Sequence, residues 1–523
     1  MKHTKLVALL LTLVLLLTAC STKQEEQTPT VQSPAAPVYN DATQIILSDR
    51  GITVDGNPAA ADNTAAVYTA NDIVYYESGK DFTYGEGSEK DAHTPDEAAA
   101  HTVVHITKPG VYSLSGKLSL GQIAIDLGDD AKKNPDAVVT LVLNGVDITC
   151  EVAPAVIFYN VYECGSDDTE KASKDVDTAA AGANVIIADG TVNTVNGSYV
   201  ERIYKPDSVV LNEDKTEVED AKKLHKYDGA FYSKRSMNIF GGKENTGVLN
   251  IKAENEGLDS EMHLTINGGN ISIASGNDGI NTNEDGVSVT TVNGGKLTIK
   301  VTGETGEGDG IDSNGWLVIN GGTVVAAACS NSADAGIDSD MGIHINGGTV
   351  IATGHMLDRI EDGGQNYAVF NFAQRQTGSE TVVMKDQKGK AILEARPENA
   401  YSILILSSAD LNAGTYTLWS DGKQLAGSSG GMMGGPGMRP GGMDRPEQPD
   451  DIGPPVDGQR PPEGFTSPEG GTPPEDGSRP EMPGGSRPGD PGDNFMDTQA
   501  STPNFVIRDG GNMFSGVSYF TGQ

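Results

Sequence analysis

Acidic residues recur at one kind of turn through the middle of this 523-residue chain. Glu256-Gly257-Leu258-Asp259-Ser260, Asp278-Gly279-Ile280-Asn281-Thr282, Asp309-Gly310-Ile311-Asp312-Ser313 and Ala335-Gly336-Ile337-Asp338-Ser339 share a pattern that Asp228-Gly229-Ala230 opens. If these units stack, two columns flank the inward apolar residue. Glu256, Asp278 and Asp309 form one; Asp259, Asn281, Asp312 and Asp338 form the other. Carboxylates about 5 Å apart repel by about 1 kcal/mol per pair in water, and several-fold more near a protein surface. Such a stack demands proton uptake or a cation. Hard oxygen donors at this spacing suit Ca2+, which takes roughly 6–8 oxygens at about 2.3–2.6 Å, turn carbonyls among them. The candidate ligands are Asp259, Asp278, Asn281, Asp309, Asp312 and Asp338. Asn281 and Ala335 interrupt the columns, so a few separate ions are expected and not a continuous row. The plainer reading of the same turns is Asx-type hydrogen bonding to the backbone.

Charge narrows the partners. Lys and Arg number 37 against 73 Asp and Glu, a net charge of −36. Nucleic acid is excluded as a partner, because binding it needs a basic face to displace counterions. Electrostatic attachment to anionic lipid is disfavoured on the same ground. Cleavage of a uronate chain needs a strong base, Arg or Lys, beside the metal. Between Met237 and Thr353 the cationic side chains are Lys243, Lys252, Lys296 and Lys300, apart from His263 and His344, and none follows an acidic turn. The expectation is therefore no enzyme. A glycosidase pair, Asp309 with Asp312 or Asp334 with Asp338, is the rival, since two carboxylates suffice for that chemistry. Trp316 and Trp419, with Tyr75 and Tyr76, are the aromatic candidates for stacking on sugar faces.

The elements that must position these turns are written in a second repeat. The motif [IV]NGG occurs at Ile266–Gly269, Val292–Gly295, Ile319–Gly322 and Ile345–Gly348. Its Asn residues, 267, 293, 320 and 346, are 26, 27 and 26 positions apart. Ile239-Phe240-Gly241-Gly242 precedes them in register, with Phe in the Asn place. Apolar residues alternate with polar ones around each Asn, which is strand periodicity. Short strands and Gly turns repeating every 26 residues or so predict an all-β chain, a right-handed parallel β-helix. Stacked coils bury their apolar columns only against neighbours and need capped ends. The Asn residues should form an amide ladder, with the Gly pair supplying positive φ.

Composition divides the rest. Lys2, His3 and Lys5 precede an apolar run from Leu6 to Leu17, then Leu17-Thr18-Ala19-Cys20. The run is too short to span a bilayer and reads as an export signal. Leu-Thr-Ala-Cys resembles the bacterial lipobox, which implies acylation of Cys20. The expected organisation is a signal peptide over 1–19, a polar tether over 20–40 and a β-rich start of the solenoid over 41–235. The repeats span 236–375, a C-terminal β cap 376–426, a Gly/Pro/Met-rich spacer 427–503 and terminal strands 504–523. Sixteen of the 26 prolines fall between Pro436 and Pro503, and such a spacer cannot bury enough apolar surface to fold. Phe505-Val506-Ile507 and Phe514-Ser515-Gly516-Val517 should return to the sheet that carries Tyr401–Leu406 or Tyr416–Trp419, closing the end of the solenoid. Cys150, Cys164 and Cys329 form no metal motif, and a Cys150–Cys164 pair stays open beside buried thiols.

With these motifs assembled, the chain from about Val103 to Trp419 resembles the bacterial carbohydrate-binding parallel β-helix family, clostridial-type surface lipoproteins similar in shape to pectate lyases. Gly121-Gln122-Ile123-Ala124-Ile125, Leu141 through Cys150 and Ser402 through Ser408 fit alongside the repeats. The insertion Asp55–Ala100 and Phe240 depart from the pattern. The expectation is a monomer on the bacterial surface, anchored in the membrane by lipid at Cys20 alone. The resemblance implies binding, without catalysis, of plant cell-wall polysaccharide, acidic pectic chains and cellulose among them, with calcium. The alternatives are a β-helix lyase or hydrolase and a structural adhesin.

Overall fold

A computed structural model describes Tyr39, residues 41–430 and residues 501–521. The signal peptide, Cys20, nearly all of the tether and most of the spacer lie outside these described residues. No helix among them is long and apolar enough to cross a membrane. The chain is all-β, with 47% strand against 4% helix.

Each repeat contributes three short strands, and each pairs in parallel with its counterpart one repeat on. The strands before the NGG turns are Leu264–Ile266, Val289–Val292, Trp316–Ile319 and Gly342–Ile345. They align Ile266 with Val292, Val292 with Ile319 and Ile319 with Ile345. Those after the turns are Asn270–Ser275, Lys296–Val301, Thr323–Ala327 and Thr349–Gly354. The third ladder carries the acidic turns on Glu256–Ser260, Ile280–Thr282 and Ile311–Ser313. All three ladders continue upstream without the sequence motif. Thr102–Ile106, Gly121–Asp126, Val156–Asn160 and Gly229–Ser233 lead into the acidic one. Each strand sends one or two apolar residues into the common interior. Ile266, Val292, Ile319, Ile345, Leu258, Ile280, Ile311 and Ile337 are at most 1% exposed, and burying each such side chain contributes roughly 1.5–3 kcal/mol.

The amide ladder is present. Asn293 Nδ2 donates to Asn267 Oδ1 at 2.9 Å, Asn320 to Asn293 at 2.9 Å and Asn346 to Asn320 at 2.8 Å. The second glycine of each turn is obligatory. Gly295, Gly322 and Gly348 have φ of +82°, +79° and +84°, and a Cβ would lie 2.5–2.7 Å from the carbonyl oxygen of the equivalent glycine one repeat back. Phe240, standing in the Asn place, instead packs with Val142, Ile186 and Ala188 under Tyr39 and Val111.

Parallel stacking stops at Thr349–Gly354, which pairs antiparallel with Tyr401–Ser407. Tyr367–Gln376, placed among the repeats by the sequence, belongs instead to the C-terminal sheet. It pairs antiparallel with Tyr401–Ser407 and parallel with Gly511–Tyr519. Its apolar content follows no 26-residue phase, and its partners come from 30 to 150 residues downstream, out of reach of a periodicity argument. Phe505–Ile507 pairs antiparallel with Gly414–Ser420. Lys423–Ser429 pairs with Gly511–Tyr519, so ordered strand runs into the start of the expected spacer. This end has its own core, in which Phe370, Phe505 and Phe514 pack ring against ring. At the other end, Val67–Ala70 lies antiparallel to Thr102–Ile106. A short helix, Pro95–Ala99, starts with a Thr94/Glu97 capping box. Cys150, Cys164 and Cys329 are all free thiols.

Candidate functional site

In Glu256–Ser260 the side chain of Leu258 enters the core, so Asp259 must leave by the opposite face. Register then sets the acids one above another: Asp259 aligns with Asn281, and Asn281 with Asp312. Asp338 continues the line by backbone hydrogen bonding, its N–H donating to Ile311 O at 2.7 Å. The outer face of the ladder is covered. Asp259 is fully buried, and Glu256, Asn281 and Asp338 are buried too.

The six residues expected as ligands fall into two groups. Asp309, Asp312 and Asp338 bring one carboxylate oxygen each within 4.8 Å of one another. Two oxygens on opposite sides of a Ca2+ shell are about 4.6–5.2 Å apart, so one ion reaches all three. Asp259 and Asn281 belong to an earlier rung with Glu256. Asn281 Nδ2 donates to Glu256 Oε1 at 3.0 Å, and Asn283 Nδ2 to Asp259 Oδ1 at 2.6 Å. Those bonds leave Glu256 Oε2, Asp259 Oδ2 and Asn281 Oδ1 buried with no hydrogen-bond partner. A buried acceptor without a donor costs about 1–3 kcal/mol. Three hard oxygens in that state on adjacent rungs fit a cation, so the donor set matches calcium at both places. Asp278 stands between the groups, its Oδ1 accepting the Asp309 N–H at 2.6 Å. Asp309 Oδ1 likewise accepts the Ala335 N–H at 2.6 Å. Asp278 and Asp309 of the first column therefore each cap the next rung's backbone with one oxygen.

The electrostatics agree with the geometry. Burial, and then the neighbouring carboxylates, push Glu256, Asp259, Asp278 and Asp309 well above the ordinary carboxylate range. For Asp309 the carboxylates are Asp338, Asp278 and Asp312. Where the column begins, a resident cation does this work: Arg202 Nη2 lies 2.8 Å from Asp228 Oδ2. Burial opposes the guanidinium charge, but Asp228, Glu201 and Glu86 outweigh it and hold the group above its ordinary value.

Glu256 stood in the sequence columns but not among the expected ligands, and the structure makes it an equal of Asp259. Asn283 was missed, although a polar residue follows each turn (Glu261, Asn283, Asn314, Asp340) and forms a third legible column. Arg202 left no signal, because it lies on an excursion outside the repeat. The tryptophans are not brought together. Trp316 is half-buried at the head of its strand, opposite Gly342. Trp419 is half-buried in the C-terminal sheet, with Lys385 Nζ over its ring at 4.6 Å and its Nε1 donating to Thr417 Oγ1 at 2.9 Å. Lys385 occupies the ring face that a sugar would need.

A family profile described as "Carbohydrate-binding domain-containing protein" matches residues 100–395, which takes in all three ladders and every acidic turn. No curated protein matches the chain. Among solved structures, the chain is similar to a polysaccharide lyase-like protein from C. thermocellum, determined as a gadolinium derivative. The two are 20% identical, the match covers 59% of this chain and 90% of the other, and the TM-score is 0.34. A match at that TM-score carries no argument about this chain.

Proposed function

Because the chain belongs to the family of carbohydrate-binding domain-containing proteins, we propose that it binds polysaccharide without cleaving it, through calcium held on the stacked acidic turns. The convergence of Asp309, Asp312 and Asp338 on one ion's reach carries this reading. In the same reading the three ladders close into a right-handed parallel β-helix. One Ca2+ joins Asp309, Asp312 and Asp338, and another takes the orphaned oxygens of Glu256, Asp259 and Asn281. The calcium supplies a positive centre with coordination positions left over for ligand oxygens. A chain at −36 repels an anionic glycan, so a bridging cation is the route by which a pectic uronate could bind. The protein's part is to hold the carboxylates in register on a rigid ladder. Asp309 and Asp312 are half-buried while Asp259 is fully enclosed, so the first group faces ligand and the second braces the fold.

Two observations favour binding over cleavage. A lyase base must give up its proton, and the Arg beside the acidic column is held charged by three carboxylates. Asp309, one half of a glycosidase pair, spends an oxygen on the Ala335 amide, and the equivalent bond recurs one rung earlier, which is the behaviour of a repeated structural unit. Leu-Thr-Ala-Cys20 completes the proposal with a lipid anchor at the bacterial surface.

A pull-down on polygalacturonate and cellulose, run with calcium and with chelator alongside an assay for 4,5-unsaturated uronates, tests this reading. Polygalacturonate binding should vanish in chelator, and no unsaturated product should accumulate. Undiminished polygalacturonate binding in chelator would refute bridging, and product formation would make the protein a lyase.

A further inference from the structure

The insertion that precedes the ladders folds into a loop with a cavity. His93 N donates to Tyr76 O at 2.8 Å and Ser78 N to His93 O at 2.9 Å, so the ends of the segment meet as in an Ω-loop. The cavity inside is about 440 Å³, within the roughly 300–1,000 Å³ range of small-molecule sites. Its floor is Tyr76, buried, with its hydroxyl donating to Gly87 O at 3.1 Å and its ring edge-on to Tyr84 at 5.0 Å. Its lip is Phe82, which is 48% exposed. The loop is fastened to the excursion that carries Arg202. Glu86 N donates to Arg202 O and Tyr204 N to Tyr84 O, both at 2.9 Å. Tyr199 Oη donates to Asp91 Oδ1 at 2.5 Å, and Ser88 N and Oγ donate to Asp91 Oδ2 at 2.8 and 2.7 Å.

An aromatic ring standing in water at the mouth of a preformed cavity with both apolar and polar lining is matched by a ligand with one apolar face and a polar edge. A pyranose is such a ligand: its axial C–H groups pack on a ring while its equatorial hydroxyls meet donors and acceptors. The local charge selects among sugars. Lys80 Nζ pairs with Glu77 at 2.9 Å, which leaves Asp81 and Glu89 as the uncompensated charges of the lining. Two like charges repel a uronate carboxylate, whereas hydroxyl groups can donate to both. We infer that this cavity is a glycan subsite that takes a neutral pyranose unit, with Phe82 stacked on its C–H face. The inference rests on the polysaccharide-binding reading but assigns the neutral glycan to a place that needs no calcium, apart from the acidic turns.

The test is calorimetric titration of the full chain, in calcium, with cellohexaose, xylohexaose, mannohexaose and polygalacturonate, for the wild type, Phe82→Ala and Phe82→Tyr. At least one neutral hexaose should bind the wild type. Phe82→Ala should weaken it about tenfold or more, as loss of an aromatic anchor does, while Phe82→Tyr, which keeps the ring, should stay within about threefold of wild type. Polygalacturonate affinity and melting temperature should be the same in all three proteins. Failure of every neutral hexaose to bind the wild type, or equal affinity in Phe82→Ala, would overturn the assignment. So would loss of both ligand classes in Phe82→Ala with a lowered melting temperature, since Phe82 would then serve the fold. If polygalacturonate alone fails to bind while the Phe82 dependence holds, the bridging mechanism falls and this subsite stands.

Discussion

In the calcium-binding proposal, Asp312 is the residue at which metal binding separates most cleanly from folding. Asp309 also caps a backbone amide, so its loss would confound the two. Asp312 aligns in register with Asn281, and the ladder thus already accommodates Asn one rung away. Asp312→Asn should leave the melting temperature in chelator unchanged or slightly raised, because a like-charge contact is relieved. Its calcium-induced rise should shrink, corresponding to affinity about tenfold weaker or worse at that ion. A calcium response equal to wild type would remove Asp312 from the site. Proton linkage gives a second expectation. Burial and neighbouring acids raise the folded-state values of Asp309 and Asp278 above those of the unfolded chain. Without metal the folded form then binds the extra protons. The stability these groups contribute is complete below the ordinary carboxylate value near ~4 and is lost as pH rises through the raised values. Calcium needs the deprotonated ligands. In chelator, Asp309→Asn should therefore gain on the wild type as pH rises from about 5 to about 7.5, and the wild-type calcium response should grow over the same interval. A gap between the two proteins that does not change with pH in chelator would contradict the raised value.

At the scale of the element, the Asn ladder is a chain in which position sets the penalty. Asn293 gives one amide bond and receives another, whereas Asn346 only gives one to Asn320. Each net hydrogen bond is worth roughly 0.5–1.5 kcal/mol, so Asn293→Ala should cost about twice as much as Asn346→Ala in urea unfolding. Equal losses would mean that the bonds of the ladder do not add. These elements were legible in the sequence because a fixed period copies one chemistry into every rung: Ile, Asn and Gly at 26-residue spacing specify strand, ladder and turn together. The pairing of the acidic columns was legible for the same reason, since Asp312 and Asp338 occupy equivalent places. How the acidic residues divide into two groups was not. It depends on which oxygen of Glu256 is already bonded to Asn281 and on the covering excursion that brings in Arg202, and neither is periodic. The cavity under Phe82 was equally hidden. Tyr76 stood out as an aromatic, but the loop's anchoring depends on backbone bonds to residues more than 100 positions downstream.

At the scale of the whole molecule, the C-terminal sheet is completed by residues that return across the spacer. Phe505, Ile507, Phe514 and Val517 are each at most 2% exposed in its core. Phe514→Ala should cost about 3–5 kcal/mol, as emptying a large buried site does, and removing residues 504–523 should cost more. Shortening the 431–500 segment by half should change stability by only about 0.6 kcal/mol, since closure entropy varies with the logarithm of length. A truncation as stable as the full chain would refute this account. Gly511–Tyr519 also lies inside the sheet, between Tyr367–Gln376 and Lys423–Ser429, although it follows every other described strand in the sequence. Without it, two strands face an empty slot with unpaired amides and carbonyls, and Phe370 loses the ring of Phe514 that covers it. A message cut short anywhere upstream of Phe505 therefore yields a sticky protein, open to aggregation and to proteases. Residues 505–519 act as a seal, and a chain that lacks them cannot hide its own edges.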